Sequence, residues 1–264
     1  MNHDADFKAK WNIGAVNSIN WGRIVAQVIY YIYGYLQTQK QTGASEIDVV
    51  VPSGNFGNIL AGYIAKQMGV PIVRLILASN ENNVLHQFIQ TGIYKQKDVN
   101  ITNAPSMDIS KASNLERLLF DLLGRDTATL KSTMETFEST GEVDLTAHLS
   151  TLKSLGFYSG DTNHQDRIDN IRWAYDEAKR MIDPHTASAV HVAREMGSEG
   201  RPMLCMETAK PCKFEDSIQE ALDMPAPRPA GMEDLESREQ RFFDVDANAL
   251  SVQNFISEAL SSRP

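Results

Sequence analysis

Cysteine is scarce in this chain of 264 residues: there are two, Cys205 and Cys212. That excludes a disulfide framework and a zinc site built on thiolates, and leaves reduced thiols as the default. No stretch approaches the ~18 uninterrupted apolar residues of a membrane span, and the opening Met1-Asn2-His3-Asp4-Ala5-Asp6 is polar and acidic, unlike a signal peptide. A cytoplasmic location is the expectation. Positive charge is in deficit, with 25 Lys and Arg against 34 Asp and Glu and a net charge of −9. Nucleic acid and anionic membranes both call for a basic face, so neither is an expected partner. Internal repeats are absent too. The remaining composition, 42% hydrophobic and 22% charged, is that of a globular protein long enough to bury a core.

What is there starts at Asp48 to Ile72, which reads as strand, glycine-rich turn, helix and second strand. Ile47, Val49, Val50 and Val51 form a β-branched run suited to a strand covered on both faces of a parallel sheet, and Pro52 ends it. Ser53-Gly54-Asn55-Phe56-Gly57-Asn58 follows at the point where strand becomes helix. The two glycines are expected to let the backbone turn tightly, so that N–H groups converge on an oxyanion at the positive end of the helix. A phosphate is the expected guest. The helix from Ile59 to Met68 closes at Gly69 and hands over to a second strand ending near Ala78, a βαβ unit. Neither GxxxxGK[ST] nor GxGxxG fits this spacing, so neither ATP nor NAD is favoured.

A coarse reading predicts alternating elements. Residues 17 to 39 place Ile24, Val28, Ile32, Tyr35 and Leu36 at helical spacing and end at Gly43. Asn83 to Gly92 and Asn114 to Leu123 read as helices, the second with Ser113 or Asn114 as cap and Glu116 in its first turn. Leu130 to Ser139, Leu145 to Leu155 and Asp166 to Met181 read as shorter, more polar helices, an accessory layer over the sheet. Met203-Leu204-Cys205-Met206 is a late strand and Phe214 to Leu222 a helix. Pro225, Pro227 and Pro229 punctuate an extended arm that ends in a helix over Ala249 to Leu260. The expected division is 1–222, with an accessory helical region at about 100–182, and an arm with its helix at 223–264.

Ser-Gly-Asn-Phe-Gly-Asn resembles the phosphate-binding loop of the pyridoxal 5′-phosphate (PLP) enzymes of the tryptophan synthase β family. Its flanks resemble the threonine synthases. The likeness extends through Gly14-Ala15-Val16-Asn17-Ser18-Ile19-Asn20-Trp21-Gly22-Arg23, Ala78-Ser79-Asn80-Glu81-Asn82, Pro105-Ser106-Met107-Asp108-Ile109, Ser113-Asn114-Leu115-Glu116-Arg117-Leu118, Asp183-Pro184-His185-Thr186-Ala187 and Glu207-Thr208-Ala209-Lys210-Pro211-Cys212-Lys213-Phe214, in the family's order. Lys210 and Cys212 depart from the family's usual His and small residue. The resemblance implies an α/β fold, the three-layer parallel-sheet large domain of PLP fold type II with accessory helices, here incomplete. The family's Schiff-base lysine precedes the segment of Asn17, so the chain looks like a carboxy-terminal portion without that lysine. An amino-terminal part as a separate chain is then an expected partner.

By the same resemblance, Gly54, Asn55, Phe56, Gly57 and Asn58 bind the PLP phosphate, with Phe56 using its backbone N–H while its ring packs in the core. Thr208 would place its hydroxyl on the pyridine nitrogen, leaving that nitrogen largely unprotonated and the ring a mild electron sink. Asn17, Ser18, Asn20 and Arg23 form a polar cluster ahead of an apolar helix. Capping explains Asn17 or Ser18 but does not require Asn20 and Arg23 as well. In the family this segment lies near O-phospho-L-homoserine, whose phosphate needs amide and guanidinium donors. The implied reaction converts that substrate and water to L-threonine and phosphate. His185 reads as a cap or packing residue, Lys210 and Lys213 as unsuited to the Schiff base, and Glu233 to Arg241 as a solvated face. Two readings stand beside this one. A related PLP lyase such as threonine dehydratase or cysteine synthase would share the loop, though the Asn-Ser-Ile-Asn segment and accessory helices speak against both. A noncatalytic binding or interaction module would share the fold.

Overall fold

The computed structural model describes residues 4–14 and 17–261; Ala15 and Val16 of the string around Asn17 lie outside the described residues. In chain order the elements are α1 (Ala5–Trp11), α2 (Trp21–Thr42), β1 (Ile47–Pro52), α3 (Gly57–Gln67), β2 (Ile72–Ser79), α4 (Val84–Thr91), β3 (Ile93–Lys95), α5 (Leu115–Leu122), α6 (Thr127–Thr140), β4 (Glu142–Asp144), α7 (Leu149–Ser154), β5 (Phe157–Asp161), α8 (His164–Ala178), α9 (Pro184–Met196), β6 (Met203–Cys205), α10 (Glu215–Leu222) and α11 (Ala249–Ser261). They fall into two compact units, Ser18–Pro227 and a smaller one of Met1–Asn17 with Arg228–Pro264.

In the larger unit, four strands form an all-parallel sheet in the order β5-β2-β1-β6. Side chains alternate across a strand, so β1 feeds two cores at once. Ile47, Val49 and Val51 join Leu75 and Leu77 beneath α2 and α3, while Val50 meets Ile76, Ala78, Ala189 and Val192 beneath α9. α8 packs against α9, and α10 against α8. Helix, sheet and helix thus make three layers, the expected α/β architecture. The antiparallel pair β3–β4 stands apart from the sheet beside α4 and α6.

Several local expectations need correction. Leu36 is not core: it is about half exposed, and Tyr31, fully buried, takes the inward position. The Tyr31 ring crosses α3 at Gly62, where an added Cβ would come within 2.5 Å of it. Asn114 stands at the N-cap of α5 yet makes no side-chain capping bond. β5 went unread because Phe-Tyr-Ser-Gly-Asp lacks a β-branched run; its Gly160 gives Val192 of α9 room to approach. In the smaller unit, Asp4 caps α1 and accepts from Gln253 Nε2 of α11 at 2.8 Å.

The end of the sheet at the strand amino termini is closed by a buried ion pair. Asp48 accepts Arg74 Nε and Nη2 at 2.9 and 2.7 Å and the Arg74 N–H at 3.0 Å, and Arg201 adds a fourth donor. Breaking such a pair from one side strands the other charge. Asp48→Ala is therefore expected to cost about 3 kcal/mol, read as a lower urea midpoint at unchanged slope; a loss below ~1 kcal/mol would contradict that role. Burial also pushes the Cys205 thiol up to about 11. Iodoacetamide should leave Cys205 unlabelled at pH 8 and begin to react only as the pH nears that value, as peptide mapping would show.

Candidate functional site

A parallel sheet collects the carboxyl ends of its strands on one edge, the usual place for ligands in α/β folds. Here that edge gathers Ser53, Ser79, Asp161 and the run after Cys205. Ser53 continues β1 by donating its N–H to Ala78 O at 3.0 Å. The chain then turns into α3 by means other than those expected. Neither Gly54 nor Gly57 has a positive φ; Phe56 does, at 65°, an uncommon conformation for a bulky residue. Its ring is buried and stacks on Phe157 at 6.0 Å, which holds the turn in place.

The glycines serve close approach instead. A Cβ on Gly54 would lie 2.2 Å from the carbonyl oxygen of Ser106, and one on Gly57 3.2 Å from Ile24 Cδ1. No side chain caps α3, so its first-turn N–H groups face the sheet edge with the positive end of the helix dipole behind them. Asn58 keeps its donors for an anion, because the Tyr31 hydroxyl engages only its Oδ1 and main-chain oxygen, at 2.8 Å each. Its amide group and N–H are what remain. Asn55 gives its main-chain oxygen to the N–H and the side-chain amide of Asn114.

Asn114 also joins this loop to the segment before α2. Its Nδ2 donates to Ser18 O at 3.0 Å, while Arg117 binds Asn114 Oδ1 and reaches Ile19 O at 2.8 Å. Ser18 is thereby held beside the loop. Asn20 is the N-cap of α2, accepting from Gly22 N at 2.9 Å, so the capping role falls on a residue expected at the substrate and not on Asn17 or Ser18. Arg23 is exposed, and Asn17, also exposed, groups with the smaller unit.

Thr208 follows β6, and its N–H donates to Thr186 Oγ1 at 3.4 Å. Thr186 in turn binds Asp183, as do the N–H of His185 at 2.9 Å and His185 Nδ1 at 2.7 Å. Asp183, His185 and Thr186 are all buried. The Ser106 N–H donates to His185 Nε2 at 3.1 Å. An accepting Nε2 carries no proton, so the hydrogen sits on Nδ1 and points at the Asp183 carboxylate. The cap of α9 is Asp183, and His185 is more than a cap or filler: it ties α9 to the segment that abuts Gly54.

Further polar groups line the same edge without having been assigned a role. Asp108 accepts from Asn80 at 2.6 Å, Asn82 at 2.9 Å and Thr102, folding the 97–108 stretch back over β2. Arg167, fully buried, forks onto both oxygens of Glu81 at 2.9 and 3.0 Å. Asn80, Glu81, Asn82 and Asp108 were visible in strings that follow strand and loop ends, but no spacing paired them. Lys210 is exposed and paired with Glu207 at 3.0 Å.

Comparison with known proteins adds the lineage. Residues 186–256 match the family described as "Threonine synthase, C-terminal". The threonine synthase of Methylobacillus glycogenes is 45% identical over 263 residues, 98% of this chain and 55% of that protein. A crystal structure of PLP-bound threonine synthase from Brucella melitensis superposes with a TM-score of 0.91 at 36% identity, over 98% of this chain and 55% of the other. Over nearly its whole length the chain is similar to the threonine synthases. It spans about half the length of the curated threonine synthases it matches, and the yeast threonine synthase structure shows the same proportion, with a TM-score of 0.85.

The Asp183–His185–Ser106 link yields a test that needs no ligand. In His185→Phe the Ser106 N–H loses its acceptor, so its hydrogen exchange should accelerate, with about 1–3 kcal/mol of local protection lost. Unchanged exchange at Ser106 would remove the link from the account.

Proposed function

We propose that this chain forms the PLP phosphate cradle, the pyridine partner and part of the substrate pocket of a threonine synthase, which converts O-phospho-L-homoserine and water to L-threonine and phosphate. The observation that carries the reading is the uncapped start of α3 behind Gly54, a position with no room for a side chain. A cofactor phosphate suits that cradle, and a relative with the same fold was crystallised with PLP. When bound, PLP would supply an electron sink that stabilises negative charge on the substrate carbons next to the amino group.

The chain's own residues do the rest. Backbone N–H groups of Gly57 and Asn58, with those of Gly54, Asn55 and Phe56, hold the phosphate, and the Phe56 ring anchors the turn from within the core. The Thr208 hydroxyl would hold the pyridine nitrogen by donating to it, which would leave that nitrogen unprotonated and the sink mild. Ser18 and Asn20, with Asn17 and Arg23, supply donors to the substrate phosphate; with Asn20 engaged as a cap, Arg23 is the group with charge to spend there. The lysine that moves protons at the substrate carbons would come from polypeptide corresponding to the part of the relatives outside the match. We place the activity in the cytosol, in keeping with two free thiols.

PLP titration with borohydride reduction and intact mass tests this. The chain should bind PLP reversibly, lose that binding on Gly54→Ala, and show no reduced adduct on any of its lysines. No PLP binding even with the remainder of a threonine synthase supplied would overturn the proposal; an adduct mapped to Lys210 or Lys213 would overturn the placing of the lysine elsewhere.

A further inference from the structure

Helix α2 is apolar on every side. Between Trp21 and Leu36 only Arg23 and Gln27 carry charged or amide side chains. One face, with Ile24, Val28 and Tyr31, is buried against α3 and the sheet. Gly34 meets Leu204 of β6, where an added Cβ would lie 2.6 Å from Leu204 Cδ2. A second face is bare: Trp21, Val25, Ile29, Tyr33 and Leu36 recur at steps of four, four, four and three, each about half exposed or more, with Ile29 and Tyr33 at 63%. At 1.5 Å per residue the stripe runs about 22 Å.

A helix that is hydrophobic all round belongs inside a larger structure or a membrane, and no described helix is long and apolar enough to cross one. Nor does the sheet close on this side. β6, against which α2 rests, is an edge strand of three half-buried residues, and bare edges are ordinarily covered or paired. Contiguous apolar surface of this extent marks an interface.

We propose that the Trp21-Val25-Ile29-Tyr33-Leu36 face of α2 is the docking surface for the other half of the threonine synthase fold, the polypeptide corresponding to the 45% of the relatives that this chain does not span. Length argues for that occupant: the chain covers 98% of itself but only 55% of its relatives. The inference rests on the likeness to the threonine synthases and not on the cofactor reading, so either can fail alone.

The test is co-expression of this chain, tagged, with the segment of the Methylobacillus glycogenes threonine synthase outside the match, followed by affinity capture and sedimentation of the chain alone. The wild-type chain should capture the segment. Ile29→Glu and Tyr33→Glu should each reduce capture at least tenfold with an unchanged circular dichroism spectrum, since both positions are exposed, whereas Lys40→Glu at the polar end of α2 should not. Equal capture by all variants would move the interface elsewhere. Absence of capture, or self-association of the chain that Ile29→Glu abolishes, would overturn the proposal, the latter in favour of a second copy. Capture without PLP binding would keep the surface and dismiss the cofactor reading.

Discussion

The carboxylate of Asp183 is the interaction on which the candidate site depends. It caps α9, fixes the His185 tautomer through Nδ1 and receives the Thr186 hydroxyl. Two arms leave it. One runs through His185 Nε2 to the N–H of Ser106, whose carbonyl lies against Gly54; the other runs through Thr186 to the N–H of Thr208. The proposed phosphate cradle and the proposed pyridine partner come from segments about 150 residues apart in sequence, yet both are indexed to the first turn of one helix. The links at the Asp183 carboxylate are buried, so water competes poorly for them, and although the outer links to Ser106 and Thr208 are only part-buried, a shift at α9 would reach both ends of the site together.

The sheet explains why such indexing holds. β1 and β2 are covered on both faces, by α2 and α3 on one side and α9 on the other, so neither strand can slide by one residue without exchanging the apolar side chains that fill the two cores. At the amino ends the Asp48 carboxylate fixes register with four donors, three from Arg74 and one from Arg201. The carboxyl ends are left for polar work, where Asn80, Asn82 and Asp108 satisfy one another. Stiffness at one end and polarity at the other are what would let backbone groups serve as ligands in the proposed cradle.

Periodicity carried most of the fold into view. The βαβ unit, α2, and the helices over 84–91, 115–122, 127–140 and 164–178 were legible because each repeats its apolar positions at helical or strand spacing. β5 was not, since its burial comes from neighbours on both sides and not from its own composition. In the site, the glycine loop could be read, but its mechanics could not. Gly54 is needed because Ser106 arrives from fifty residues away, and nothing local announces that arrival. His185 looked bland for the same reason: a histidine two residues after a capping aspartate is ordinary until the loop that accepts its ring is known. Asn20 and Asn114 exchanged expected roles, one capping and the other bridging, because a side-chain amide serves either purpose and tertiary contacts decide.

Helix α2 shows the limit from the other direction. Its spacing does identify an inward face, but residues at 24, 28 and 31 are followed by equally apolar ones at 25, 29 and 33, so the pattern alone cannot say which face a given neighbour covers. An amphipathic helix declares its solvent side; this one declares none. The structure resolves the choice by packing Tyr31 across Gly62, which turns Ile29 and Tyr33 outward. A helix so composed, joined to a cradle built from N–H groups and to a sheet ending in a three-residue edge strand, has the physical character of an interior element. The same composition that puts α2 at the centre of a fold leaves it conspicuous when only part of that fold surrounds it.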